Sequence, residues 1–202
     1  MEYLVLGFFI GLSLILAIGA QNIFVIEQGL KKQHIFLVCF VCSISDLFLI
    51  FLGIFLFHHF TQYFNSSVQL IFNILLVIFL VYFIYSKIRS LTSKANLNNE
   101  IENISKFNIF LKTLGFTYLN PHVYSDTVFF LGNFSKNLIL NQKIYFGLGA
   151  SVASFIFFFV VGYLSKFLSQ YAQSEKVWKT INILIISFMS LLTMFIVLEI
   201  VN

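Results

Sequence analysis

The chain has 202 residues, 59% of them hydrophobic and only 10% charged, with a mean hydropathy of +0.95. A soluble domain carries roughly 25% charged residues, so this composition excludes a water-soluble globule and describes an integral membrane protein. The formal net charge of +4 does not describe a nucleic-acid binder, because the basic residues lie between apolar runs and form no stripe with interleaved aromatics.

Six runs are long enough to cross a bilayer: Tyr3–Ile26, Ile35–Phe57, Val68–Tyr85, Phe110–Phe134, Ile144–Leu164 and Val177–Val197; about 20 apolar residues suffice. Only Glu2 precedes the first run, which outlasts the apolar stretch of a signal peptide and reads as an uncleaved span. It holds Gly7 and Gly11 at G-x-x-x-G spacing, either a dimer face or a point of close packing within the bundle. Toward its end comes a small, polar interruption, Gly19-Ala20-Gln21-Asn22.

The second run carries Asp46. At ~1.5 Å per residue it lies roughly 17 Å in from Ile35, near mid-bilayer. Cys39, Cys42, Ser43 and Gly53 stand three, four or seven residues away and share its helical face. Cys39 and Cys42 have C-x-x-C spacing but lie inside a span, away from the helix N-terminus that stabilises a thiolate. His58-His59 has no third ligand nearby. The third run is the shortest and carries Asn73. The polar stretch Lys87–Lys106 follows, which reads as a linker (87–109) between a first three-span repeat (1–86) and a second (110–202), in one membrane domain.

The fourth run holds the one proline of the chain, in Asn120-Pro121-His122-Val123-Tyr124-Ser125-Asp126-Thr127. Proline removes a backbone N–H and pushes against the carbonyl of Thr117 four residues back. In hydrocarbon such a break persists only when buried in protein or lining a wet cavity. Asp126 lies roughly 12 Å from the outer end of this run.

Lys and Arg are unevenly shared. Lys31, Lys32, Lys87, Arg89, Lys94, Lys106, Lys112, Lys166, Lys176 and Lys179 fall on one side, and only Lys136 and Lys143 on the other. The positive-inside rule places the larger group in the cytoplasm and both termini outside. Three spans per half make the halves cross in opposite directions, a recurring transporter plan with the site where the repeats meet. The halves share Ser-x7-Gly in their second spans (Ser45 to Gly53, Ser154 to Gly162) and an interrupted first span. The expected fold is therefore an all-α integral membrane protein. It has six transmembrane helices in two inverted three-helix repeats, the first helix of each repeat being interrupted.

Of the eight acidic residues, only Asp46 and Asp126 lie well inside spans. A mid-helix Asp costs roughly 2.5–3.5 kcal/mol on insertion scales, so its default reading is functional. Both are candidates for binding a substrate cation or a coupled proton, with Ser43 beside Asp46. Gln21 and Asn22 either glue helices together or contact substrate at a broken helix, where freed N–H groups can hold a carboxylate. Asn120 joins them, with Gly19 and Pro121 as hinges. His122 is either a proton relay, since imidazole titrates near neutrality, or a hydrogen-bonded interior histidine. Tyr124 suits gating or packing. No Walker loop, zinc-protease motif or nucleophile elbow is present. The expectation is a transporter rather than an enzyme, with no cofactor or metal, drawing on an ion gradient or on substrate exchange.

The segments Gly11-Leu12-Ser13-Leu14-Ile15-Leu16-Ala17-Ile18-Gly19-Ala20-Gln21-Asn22, Gln28-Gly29-Leu30-Lys31-Lys32-Gln33-His34 and Ser45-Asp46 resemble the N-terminal half of the LysE/ArgO family of basic amino-acid exporters. Phe116–Thr127 resembles its second-half motif. Phe146-Gly147-Leu148-Gly149-Ala150, Ser154 and Trp178-Lys179-Thr180-Ile181-Asn182 resemble its last two spans. Two positions depart: the family usually has proline where Ala17 stands and often a basic residue at the place of Glu27. The resemblance implies a secondary exporter of L-lysine or L-arginine in the inner membrane. Its partners would be the basic amino acid, the lipid bilayer and a proton or other ion gradient, with a homo-oligomer allowed. The alternatives are export of a neutral amino acid or a metal cation, and a thiol-redox carrier using Cys39 and Cys42.

Overall fold

Long apolar runs with few interior breakers leave the backbone little choice but to satisfy its hydrogen bonds within helices. The computed structural model describes residues 1–16, 19–63, 66–92, 105–172 and 175–201, and among the described residues there is no strand. The helices are α1 (Glu2–Ile15), α2 (Ala20–Lys31), α3 (Ile35–Tyr63), α4 (Ser66–Thr92), α5 (Lys106–Tyr118) and α6 (Pro121–Tyr124). A π-helical segment (Ser125–Phe130), α7 (Leu131–Ser135), α8 (Leu140–Leu168), a 3-10 turn (Ser169–Ala172) and α9 (Glu175–Val201) complete the chain. Ala17 and residues 93–104, the middle of the expected linker, lie outside the described residues, as do the side chains of His58, His59, Pro121 and Trp178.

Among the described residues four helices are long and apolar enough to cross a membrane: Ile35–Phe57, Leu70–Arg89, Leu140–Tyr171 and Lys179–Leu198. A fifth span arises if α1 and α2 count as one, broken and bent by 82°. The chain is thus a multi-pass membrane protein. The run Phe110–Phe134, expected as a single interrupted span, is cut more finely into α5, α6, the π segment and α7. Helix α4 also runs past the expected start of the linker, through Lys87 and Arg89 to Thr92.

Local chemistry sets the ends. Helix α2 closes with Lys32 in the left-handed region, φ 56°, its N–H on the Gly29 carbonyl while Gln33 N–H reaches Gln28 at 3.1 Å. That pair of bonds is the Schellman pattern, usually built on glycine. At α6 the proline takes the first helical position, where its missing N–H is no loss. Asn120 caps it, its Oδ1 accepting the His122 N–H at 3.1 Å. Asn120→Ala is expected to cost about 1 kcal/mol of stability, the usual worth of such a cap, and thermal melting in detergent checks it.

Helix α1 lies against α8 over a seam of small residues. A Cβ at Gly7 would strike the Phe146 backbone, and one at Gly11 would stand 2.8 Å from the Ala150 Cα. The Gly7–Gly11 pair is therefore consumed within the bundle. Helix α3 crosses the π segment with Gly53 against the Val128 backbone, and α4 pairs chiefly with α9. Phe36, Phe48, Tyr82, Val160, Leu184 and Leu191 are exposed on the outer surfaces, as lipid-facing side chains are.

Candidate functional site

Both helix breaks are held by side chains that recover carbonyls left over at helix ends. Asn22 Nδ2, from the first turn of α2, donates to the Ile15 carbonyl of α1 at 3.0 Å. The Tyr124 hydroxyl, from α6, donates to the Tyr118 carbonyl of α5 at 3.0 Å. The first four N–H groups and last four carbonyls of any helix lack internal partners, and in a membrane they must find others. The two breaks meet this need the same way, with a downstream side chain reaching back.

Between the breaks lies a cavity of about 370 Å³, a volume suited to a small solute. Gly19, Ala20, Gln21 and Asn22 line it from the first break. Asn120, His122, Asp126 and Thr127 line it from the second, Asp46 from α3 and Ser154 from α8. Apolar walls come from Leu76 and Leu80 of α4 and from Leu192, Phe195 and Ile196 of α9. Asp46, 4% exposed, accepts a hydrogen bond from the Ser154 hydroxyl at 2.7 Å. Asp126 sits on the π segment, a rare geometry that widens the turn and often marks functional positions. The Thr127 hydroxyl folds back to the Val123 carbonyl at 2.5 Å, a local bond that leaves the Asp126 side chain uncommitted to its neighbour.

Most of the residues singled out in the sequence come together here: Gly19, Gln21, Asn22, Asp46, Asn120, His122 and Asp126. Ser43 and Tyr124 do not line the cavity. Ser43 is buried on α3, and Tyr124 staples the break with its ring 5.2 Å from that of Phe72. His122 is exposed. Cys39 and Cys42 are free, buried thiols outside the cavity lining, Cys39 donating to the Phe158 carbonyl at 3.2 Å. Ser154 entered the sequence reading only as part of the Ser-x7-Gly echo. Its role as partner to Asp46 needed the crossing of α3 and α8, which no local pattern encodes.

A second polar cluster was missed. Glu27 of α2, 2% exposed, accepts from Lys31 at 2.8 Å and from Lys87 of α4 at 2.9 Å, both on Oε1. Lys87, 7% exposed, also donates to Asn182 Oδ1 of α9 at 2.8 Å. Its signal was present in the sequence as the departure at Glu27. The partners were hidden because Lys87 read as one more loop cation.

In a multi-pass membrane protein, a cavity with two carboxylates set between two broken helices has the form of a transport site. The chain belongs to the LysE type translocator family, which it matches over residues 12–199. It is 32% identical over 185 residues to the arginine exporter protein ArgO of Salmonella paratyphi A, covering 91% of this chain and 88% of that protein. The ArgO proteins of Salmonella typhimurium and Salmonella enteritidis are 32% and 31% identical over the same coverage. No solved structure matches the chain.

Proposed function

We propose that this chain is a secondary exporter of basic amino acids, L-arginine and with it L-lysine, in the inner membrane. The observation that carries the reading is the pairing of Asp46 and Asp126 in one buried cavity. Two carboxylates in a low-dielectric site are costly unless a cation joins them, and a guanidinium or ammonium is such a cation. The α-carboxylate of the solute is assigned to the start of α2. Gly19 offers no side-chain cap there, so the first N–H groups remain for an anion, and the buried Gln21 Nε2 has no hydrogen-bond partner within the protein.

The named activity of the ArgO relatives supports arginine as cargo. Six spans in two inverted repeats, both termini outside and coupling to an ion gradient complete the proposal. The matching carbonyl staples at the two breaks support the repeat. Within it, Asp46 and Asp126 bind the cation or the coupled proton, Gln21 and Asn120 orient the solute, Gly19 and Pro121 hinge the breaks, and His122 relays a proton. Efflux from cells preloaded with labelled arginine, lysine, homoserine or a divalent metal tests it. Faster loss of the two basic amino acids alone is expected. Loss of homoserine or metal instead would overturn the substrate assignment.

A further inference from the structure

Beyond the cavity lining, toward Lys31 and Lys32, two layers of side chains follow in the same order on four helices. On α2 the cavity residue Gln21 is followed by Phe24 and then Glu27. On α4 Leu80 is followed by Phe83 and then Lys87. Before the second break, read backwards, Asn120 gives way to Phe116 and then Lys112 of α5; on α9, read backwards, Leu192 gives way to Met189 and, two turns on, to Asn182. The first layer is apolar, three phenylalanines and Met189. Phe116 is fully buried, stacked on Phe24 at 4.6 Å and met edge-on by Phe83 at 5.0 Å. The second is ionic, and it ties α2, α4 and α9 together through Glu27, Lys87 and Asn182.

The ion pairing is lopsided. Both lysines bond to the same oxygen of Glu27, while its Oε2 is buried with no hydrogen-bond partner, as is Asn182 Nδ2. A carboxylate presents two oxygens in the fork that a guanidinium matches with two parallel bonds, whereas an ammonium is a point charge. An arriving guanidinium therefore gains a bond that Lys87 does not make. Removing one member of a buried pair is strongly destabilising, but exchanging one cation for another is not.

We propose that Glu27 and Lys87 form a substrate-operated gate at the lysine-rich end of the cavity, held shut by their ion pair and released when a cationic solute takes the place of Lys87 on Glu27. The cargo's charge in this statement rests on the exporter reading above; the closure itself rests on the layers. Release of Lys87 frees α4 from α2 and lets Phe83 leave Phe116, so the ionic and apolar layers part together.

The test follows a reporter cysteine at Ala20, which lines the cavity, in a chain carrying Cys39→Ala and Cys42→Ala. Oriented vesicles are treated with a membrane-impermeant maleimide on the lysine-rich face. Glu27→Gln and Lys87→Met are each expected to speed labelling about tenfold or more, as losing a buried pair shifts a two-state closure by at least that much. The double exchange Glu27→Lys/Lys87→Glu restores slow labelling. Added arginine speeds labelling of the parent and has no further effect on Glu27→Gln. Unchanged labelling in both single variants would overturn the gate. Arginine efflux without any arginine effect on labelling would also overturn it while the exporter reading stands. Fast labelling in the variants with no arginine efflux supports the closure and sinks the cargo instead.

Discussion

Asp46→Asn is expected to reduce arginine efflux about a hundredfold while the protein still reaches the membrane folded. Asparagine keeps the shape and an acceptor for the Ser154 hydroxyl, which now sits 2.7 Å from the carboxylate, so the α3–α8 crossing loses little. What it removes is the charge. A hydrogen-bonded ion pair in a desolvated site is worth roughly 2–5 kcal/mol to a ligand, and about 2.7 kcal/mol is a hundredfold. Efflux at parental rate, with normal yield and melting temperature, would take Asp46 out of the mechanism. Ser154→Ala is the milder companion, removing one bond and no charge.

Gly149→Leu is expected to prevent the fold rather than impair the chemistry. A Cβ on Gly149 would enter the Leu4 carbonyl and stand 2.8 Å from the Phe8 amide, both backbone atoms of α1. Backbone cannot rotate aside, so α1 must back away from α8 along the seam it shares with Gly7 and Gly11. Overpacking usually costs about 1–3 kcal/mol, and a leucine driven into facing backbone belongs at or beyond that upper end. Loss of the monodisperse peak in detergent gel filtration is the expected result. Gly115→Ala is the control. The three atoms nearest its added Cβ all belong to the Phe79 ring, the closest at 2.8 Å; a ring can swing, and a fully folded yield is expected. Equal yields for Gly149→Leu and the parent would mean that the α1–α8 seam does not hold the bundle.

The parts legible in the sequence were those whose cost is local. An aspartate inside an apolar run, a proline inside a helix and a glycine-led interruption each carry a penalty that one segment alone displays, and Asp46, Pro121 and Gly19 were found that way. Pairings that cross the chain were not legible. Ser154 and Asp46 are 108 residues apart, and Lys87 and Asn182 are 95 apart. Counting cations by loop treats every lysine as solvated, which hid the burial of Lys87. The π segment was also invisible, since Ser125–Phe130 has the composition of ordinary helix. Tyr124, read from the sequence as a gating, packing or substrate-side residue, stands outside the cavity lining and donates to the Tyr118 carbonyl instead, a bond across the break that no local pattern shows.

The partnering of α1 with α8 and of α4 with α9 has a consequence for how the protein is made. Helix α1 ends at residue 15 and α8 begins at residue 140. At ~5–20 residues per second of synthesis the first helix waits on the order of ten seconds for its main contact. During that interval its small-residue face meets lipid. The first half of the chain therefore cannot mature alone and then dock as a finished unit. Its helices wait in the bilayer without their main partners, and α9, made after α1 to α8, is the one that gives α4 its neighbour and adds Leu192, Phe195 and Ile196 to the cavity wall.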